Sequence, residues 1–338
     1  MTNLEIMKDS IFNKRGLLFA FFAVFLFFFS CKDEKKKEDT ILKVEDTAVV
    51  APFFKLSLAQ WSMHKMIFDD NVSPYTFAGK AKSWGFSGLE YVSGLYYEEL
   101  EKENFSDEAM AAFVEKCNAE SKKHGMTNLL IMIDGQGDLA TEKPEERKAA
   151  VENHYKWVDA AEAMGCHSIR VNLAGGTTKE KWLENAVDGL TQLATYAKDK
   201  NINVIVENHG GFSSNAEDLA TVMSTVNMPN CGTLPDFGNF CIKRKDGSVY
   251  NGECAEEYDM YKGVQELMPF AKGVSAKSYN FDAEGNETKI DFSKMMKIVK
   301  EAGYEGFVGV EYEGDVLTEE EGIIATKDLL LKVAKNLK

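Results

Sequence analysis

Histidine, proline and positive charge are all scarce in this chain, and each shortage excludes something. Five histidines in 338 residues are too few for a cluster of several zinc ions. Six prolines and the lack of any long Gly/Ser tract leave no interior linker. The roughly 290 residues that follow an N-terminal apolar segment therefore read as one domain. Lys and Arg total 39 against 54 Asp and Glu, for a net charge of −15. Such a surface repels a phosphate backbone and argues against nucleic acid as a partner. The cysteines show no CxxC or other zinc spacing. No Gly-x-Ser-x-Gly elbow occurs, and the glycine-rich LAGGTTKE does not follow a nucleotide fingerprint, so dinucleotide binding is unsupported.

What is present begins with an export pattern. Lys8, Lys14 and Arg15 precede a continuous apolar run over residues 16–29, followed at once by Ser30 and Cys31. The run is short for a membrane span and has the length of a signal-peptide core. A small residue before a cysteine at this place resembles a bacterial lipobox, with Phe28 where leucine is usual. Lys32-Asp33-Glu34 resembles the acidic surface-export signal of Bacteroidetes lipoproteins. These resemblances imply a signal peptide over 1–30, lipidation of Cys31, and anchoring to a bacterial outer membrane on its periplasmic or cell-surface side. Residues 31–50 are charge-rich without helical period and read as a flexible tether. Residues 1–30 carry three basic and two acidic groups, so their removal takes the net charge from −15 to −16.

From residue 51 to 338 the chain alternates apolar β-rich runs with amphipathic stretches. Strands are expected near 53–60, 87–92, 127–133, 168–173, 202–207, 231–236, 272–277 and 306–311. Helices are expected near 74–84, 107–124, 144–164, 178–200, 214–226, 255–268, 291–301 and 319–337. Such alternation implies right-handed βαβ units and a parallel sheet, and eight units imply a closed (β/α)8 TIM barrel of the α/β class. Glycines 85, 125, 165 and 303 recur where a helix hands over to a strand. Ser73-Pro74 reads as a cap followed by a first-turn proline, while Thr177 with Glu180 and Thr318 with Glu321 fit capping boxes. Cys117 and Cys166 sit in apolar settings and read as core. Cys241 and Cys254 bracket a loop, and whether they pair is open.

Polar residues close the last four strand-like runs: Glu207, Asp236, Ser275 or Lys277, and Glu311. In a parallel barrel these strand ends open onto one face, so the acids converge on one mouth. Buried charges of this kind need a cation or a metal beside them. His209 lies two residues after Glu207, on the same side of an extended chain, and Gly210 and Gly211 allow close approach of a ligand to the backbone.

The segments VIVENHGG, LPDFGN and VGVEYEG, in this order, resemble the sugar phosphate isomerase/epimerase family of xylose-isomerase-like barrels. The resemblance implies that Glu207, Asp236 and Glu311 hold one divalent ion, and that the two glutamates shuttle a proton on a sugar. Oxygen donors suit Mn²⁺ or Mg²⁺. Two departures stand out. The family's strand-seven histidine is Ser275 here, with Lys277 two residues on, and its second histidine after the strand-six aspartate is Asn239. Two readings stay open: an ion completed by water, Asn239 or His209, or the Lys277 ammonium standing in the ion's place.

The early strands offer further substrate-facing candidates. Trp61 and His64 follow the first strand, Glu90 ends the second, and Arg170 and Asn172 share a face on the fourth, where Arg170 reads foremost as an ion-pair partner. Asp134 reads as a turn cap. Lys243, Arg244 and Lys245 read as a solvated loop rather than a phosphate clamp. The functional expectation is an exported isomerase or epimerase of a free sugar, cyclitol or sugar derivative acting through an enediolate. A lyase or dehydratase working through the same enolate is the alternative, then a non-catalytic sugar-binding lipoprotein. DNA-repair endonucleases share the barrel shape, but five histidines and the acidic surface argue against that activity.

Overall fold

The computed structural model describes residues 51–337. The expected signal peptide, the tether and Cys31 lie outside the described residues.

Ten strands follow in chain order: β1 (Lys55–Ala59), β2 (Gly88–Val92), β3 (Thr127–Ile133), β4 (Ser168–Val171), β5 (Asn203–Glu207), β6 (Cys231–Leu234), β7 (Cys241–Arg244), β8 (Cys254–Glu257), β9 (Val274–Ser278) and β10 (Phe307–Tyr312). Eight form one parallel sheet in the order β6-β5-β4-β3-β2-β1-β10-β9, while β7 and β8 pair only with each other. The sheet closes on itself where β6 meets β9, through parallel bridges between Thr233 and Ala271 and between Asp236 and Ser275. Ser275 N donates to Pro235 O at 2.9 Å and Phe237 N to Ser275 O at 3.1 Å across that seam. The result is the (β/α)8 barrel that the alternating pattern implies. Its strands are buried on both faces, as the apolar runs LLIMI and NVIV require.

Each barrel strand leads to a helix, among them Asp107–His124, Pro144–Ala163, Lys179–Lys198 and Glu319–Asn336. Local chemistry sets their ends. The Thr318–Glu321 capping box forms in full, and Gly85, Gly125, Gly165 and Gly303 all take positive φ where helix turns into strand. Three local expectations are corrected. The cap before Lys179 is Thr178, which accepts from Lys181 N, because Thr177 is taken by Glu142. Ser73 caps through no side-chain bond; its carbonyl accepts from Thr76 instead. The helix expected over 255–268 is reduced to Met260–Leu267, capped by Asp259. Its first residues are drawn into the β7–β8 hairpin, whose two strands a Cys241–Cys254 disulfide joins. Cys117 and Cys166 are buried, as core residues are.

Candidate functional site

Strand register gathers the late polar residues. Glu311 is paired across the sheet with Lys277, and Asp236 with Ser275. Glu207 ends β5 one strand further round. Glu207, Asp236 and Glu311 each bring a carboxylate oxygen to within 4.8 Å of the other two, and all three are buried. Ser275 Oγ stands 2.8 Å from both Asp236 Oδ2 and Glu311 Oε2. One hydroxyl proton serves only one of these oxygens, so the other contact is favourable only with a further proton or cation nearby.

The charge balance points the same way. Asp134, Glu207, Asp236, Glu311 and Glu313 surround Arg170 and Lys277. Burial, opposed by Lys277 and reinforced by Glu207 and Glu311, pushes the Asp236 carboxyl up to about 8. Burial, again opposed by Lys277 and reinforced by Glu207, raises Glu311 too. Lys277 is buried, which alone would lower it, but Asp236 and Glu311 beside it raise it well above an ordinary lysine. Its Nζ lies nearest to Glu313 Oε1, at 3.2 Å, against 3.7 Å to Glu311 and 3.9 Å to Asp236. The ammonium therefore belongs first to Glu313. Glu207 Oε2 is 2.8 Å from Arg170 Nε, a buried ion pair whose angle falls short of a hydrogen bond. A buried triad of carboxylates is a donor set that fits a divalent cation.

Arg170, Asn172, Asp134 and His209 form a second, ordered network. Arg170 Nη1 donates to Asp134 Oδ1 at 3.0 Å and to Asn172 Oδ1 at 3.1 Å, and Asn172 Nδ2 donates to Asp134 Oδ1 at 2.8 Å. Asn172 Oδ1 can only accept, so His209 Nδ1, 2.9 Å away, carries the proton and Nε2 keeps its lone pair. Burial, with Arg170 and Lys277 close by, holds the imidazole down at about 4. His209 is thus a neutral acceptor. Asn239 donates from Nδ2 to Glu207 Oε1 at 3.0 Å and from its backbone N to Asp236 Oδ1 at 2.8 Å, so it orients two of the acids.

Above this floor opens a cavity of about 1240 Å³. Trp61, His64, Asn172, His209, Asn239, Glu311 and Glu313 line it, with hairpin residues including Arg244 and Tyr250. Trp61 stacks on His64 with ring centres 4.6 Å apart, and His64 Nδ1 bonds the Trp61 carbonyl at 2.7 Å. Glu207, Asp236 and Lys277 are buried outside the cavity lining, and so is Glu90. It is buried below the mouth, outside the cavity lining, where Ser57 Oγ donates to Oε1 at 2.6 Å and Oε2 has no partner. Its strand ends two residues later, at Val92, which sets its carboxylate too deep for the mouth. Burial, opposed by Ser57 and reinforced by Glu311, pushes it up to about 8.

Sequence reasoning passed over three features. Asp134 anchors Arg170 and Asn172 rather than capping a turn. Glu313 lies two residues after Glu311, the same alternation that singled out His209, and joins the wall as the partner of Lys277. The hairpin carried only a weak signal, its two bracketing cysteines.

Residues 78–333 match the sequence pattern of the xylose isomerase-like TIM barrel family. The chain belongs to that family. Its curated relatives include an inosose dehydratase of Geobacillus thermodenitrificans, 26% identical over 150 residues, 41% of this chain and 49% of that one. The chain thus spans about half the length of the curated relatives it matches. Among solved structures, D-psicose 3-epimerase from Clostridium cellulolyticum H10 with D-tagatose superposes at a TM-score of 0.61 and 13% identity, over 83% of this chain and 99% of the other. An IolI protein with a bound zinc atom gives 0.61 and 15%, over 84% and 99%. At such identities these two likenesses speak for the fold of this xylose isomerase-like barrel, and its buried triad is a place that can take a metal.

Proposed function

We propose that this barrel moves a proton on a carbon beside the carbonyl of an uncharged carbohydrate, as an isomerase or epimerase. The observation that carries the reading is the triad of buried carboxylates within 4.8 Å of one another. A hard divalent ion, Mn²⁺ or Mg²⁺, held by Glu207, Asp236 and Glu311 would supply the positive charge that a developing enediolate oxygen needs. The chain's own groups do the rest. One of Glu207 and Glu311 takes the proton from carbon, the C–H electron pair moves toward the carbonyl oxygen, and the other glutamate returns a proton. His209, with Nε2 free to accept, receives a hydrogen bond from a substrate hydroxyl. Trp61 offers an aromatic face to the sugar's C–H bonds. The acidic floor disfavours a phosphorylated substrate, which fits a free sugar, a cyclitol or an oxidised glycoside.

Dehydration is the second reading, favoured by the inosose dehydratases among the relatives. There the same electron pair, once on the carbonyl side, returns to form C=C and expels a β-hydroxyl, which leaves as water with a proton from the second acid. Incubation with candidate keto sugars in D₂O separates the two. Solvent deuterium in an unchanged or epimeric sugar marks proton shuttling, and loss of water marks elimination. Chelation should abolish either reaction, and Glu311→Gln should lower turnover about 10²–10⁴-fold. Turnover that survives both treatments removes the metal–glutamate mechanism. Survival of chelation alone transfers the charge-stabilising role to Lys277.

The N-terminal pattern supports export and lipid anchoring at Cys31 to the bacterial outer membrane. Acyl labelling of the full chain should disappear in Cys31→Ala with release of the protein from membranes; retained label would refute the anchor.

A further inference from the structure

The β7–β8 hairpin lies between β6 and its helix, where the repeating units of the barrel have no counterpart for it. It is built into the cavity. Cys241 and Cys254, joined as the disulfide, both line the cavity wall, as do Arg244, Tyr250 and Asn251. The tip is internally braced. Arg244 donates to Val249 O at 3.3 Å and to Gly252 O at 2.7 Å, and Asp246 Oδ1 accepts from Ser248 N at 3.0 Å. The tip also leans on the site itself. A Cβ at Gly210, where φ is +86°, would strike the Val249 carbonyl, and the Tyr250 ring centre lies 5.0 Å from that of His209.

A second aromatic surface enters the same cavity from the β1 side, three strands round the ring. It consists of Trp61, stacked on His64, and Phe68 set edge-on at 6.4 Å. Phe68 is 56% exposed and Tyr250 42% exposed, so each keeps much of its aromatic surface open to the cavity. The cavity, at about 1240 Å³, exceeds the roughly 300–1,000 Å³ that encloses a drug-sized ligand. A single sugar ring is smaller than such a ligand and leaves the outer part empty.

We propose that the outer cavity is a second sugar subsite, walled by Tyr250 on the disulfide-held hairpin and by Trp61 and Phe68, and that the substrate is a two-ring glycoside. This deepens the carbohydrate reading above and rests on it. The ring that reacts sits over the carboxylates, and the second ring lies between aromatic faces, where C–H bonds meet π surface. The disulfide keeps Tyr250 in place before the ligand arrives, which lowers the ordering cost of binding.

The test compares two probes, 3-ketoglucose and cellobiose carrying the same 3-keto group on its non-reducing ring. Dissociation constants and kcat/KM are measured on the metal-loaded protein, on Tyr250→Ala and on the double variant Cys241→Ser/Cys254→Ser, with circular dichroism to confirm folding. The wild type should prefer the two-ring probe about five- to tenfold, and both variants should bring the ratio toward one. A mild reductant on the wild type should do the same without any substitution. Equal or tighter handling of 3-ketoglucose by the wild type, or a preference untouched in Tyr250→Ala, overturns the subsite. Tyr250-dependent preference in binding with no turnover of either probe upholds the subsite and rejects the enzymatic reading. Failure of both probes to bind rejects both.

Discussion

The two halves of the barrel are built on the same units and differ at their strand ends. β2, β3 and β4 close on Val92, Ile133 and Val171, whereas β5, β9 and β10 and the segment after β6 bring Glu207, Lys277, Glu311 and Asp236 to the mouth. The early half contributes shape, through Trp61 and His64, and a frame, through Asp134, Arg170 and Asn172. The late half contributes unbalanced negative charge. A strand end that carries no charge is simply part of the core, while one that carries a charge has to be matched by something, here by Lys277, Arg170 and a site fit for a cation. The division teaches that early-half changes should act on binding and stability, and late-half changes on chemistry.

Glu207→Gln tests the late half most directly. The amide keeps the shape and the bond from Asn239 but removes a charge and a base, so kcat should fall about 10²–10⁴-fold while the fold persists. A fall below tenfold would mean that the late half holds structure rather than chemistry. Lys277→Met probes the same region through stability. It strips the ammonium from Asp236, Glu311 and Glu313 and leaves buried acids without it. A loss of about 3–5 kcal/mol is expected in urea unfolding of the metal-free protein. A loss under 1 kcal/mol would show that the acids never depended on the lysine.

Glu90 sharpens the comparison, because it is an acid hidden in the early half. Its folded pKa, about 8, stands above the roughly 4.3 of a free glutamate. The sign follows from linkage: the stabilising contribution is whole below the unfolded pKa and is lost as pH rises through about 8. Wild-type stability should therefore decline between pH 5 and 9, and Glu90→Gln should flatten that slope and leave the variant more stable at pH 9, by on the order of 3 kcal/mol. Parallel curves for the two proteins would mean that Glu90 is not held protonated by its burial.

Most of the barrel was legible because period and turn chemistry agree. Runs such as LLIMI and NVIV admit little but a strand buried on both faces, and the glycines at 125, 165 and 303 mark the handover from helix to strand. The acids were legible for a related reason, since an apolar strand seldom ends on a charge without use for it. What escaped depended on depth or on distant partners. Glu90 shares the sequence look of Glu207, but its strand continues to Val92 and its carboxylate stays below the mouth. Asp134 looked like a turn residue because Arg170 and Asn172, its partners, lie a whole βα unit away. The hairpin borrowed residues 255–257 from an amphipathic pattern that read as helix, and their pairing with the strand over 241–244 appears only in space.

Trp61→Ala is the mildest way to break the contrast between halves. Trp61 holds the His64 ring against its face and borders the cavity from the β1 side. Removing the indole takes away an aromatic surface for a sugar's C–H bonds, an interaction of about 0.5–1.5 kcal/mol. That corresponds to a rise in KM of roughly two- to tenfold with kcat nearly unchanged, because proton transfer at Glu207 and Glu311 does not pass through it. The split between the two constants is the informative quantity. A kcat that falls along with binding would mean that the β1 wall positions the reacting carbon, and the early half would then share in the chemistry that the distribution of charge assigns to the late one.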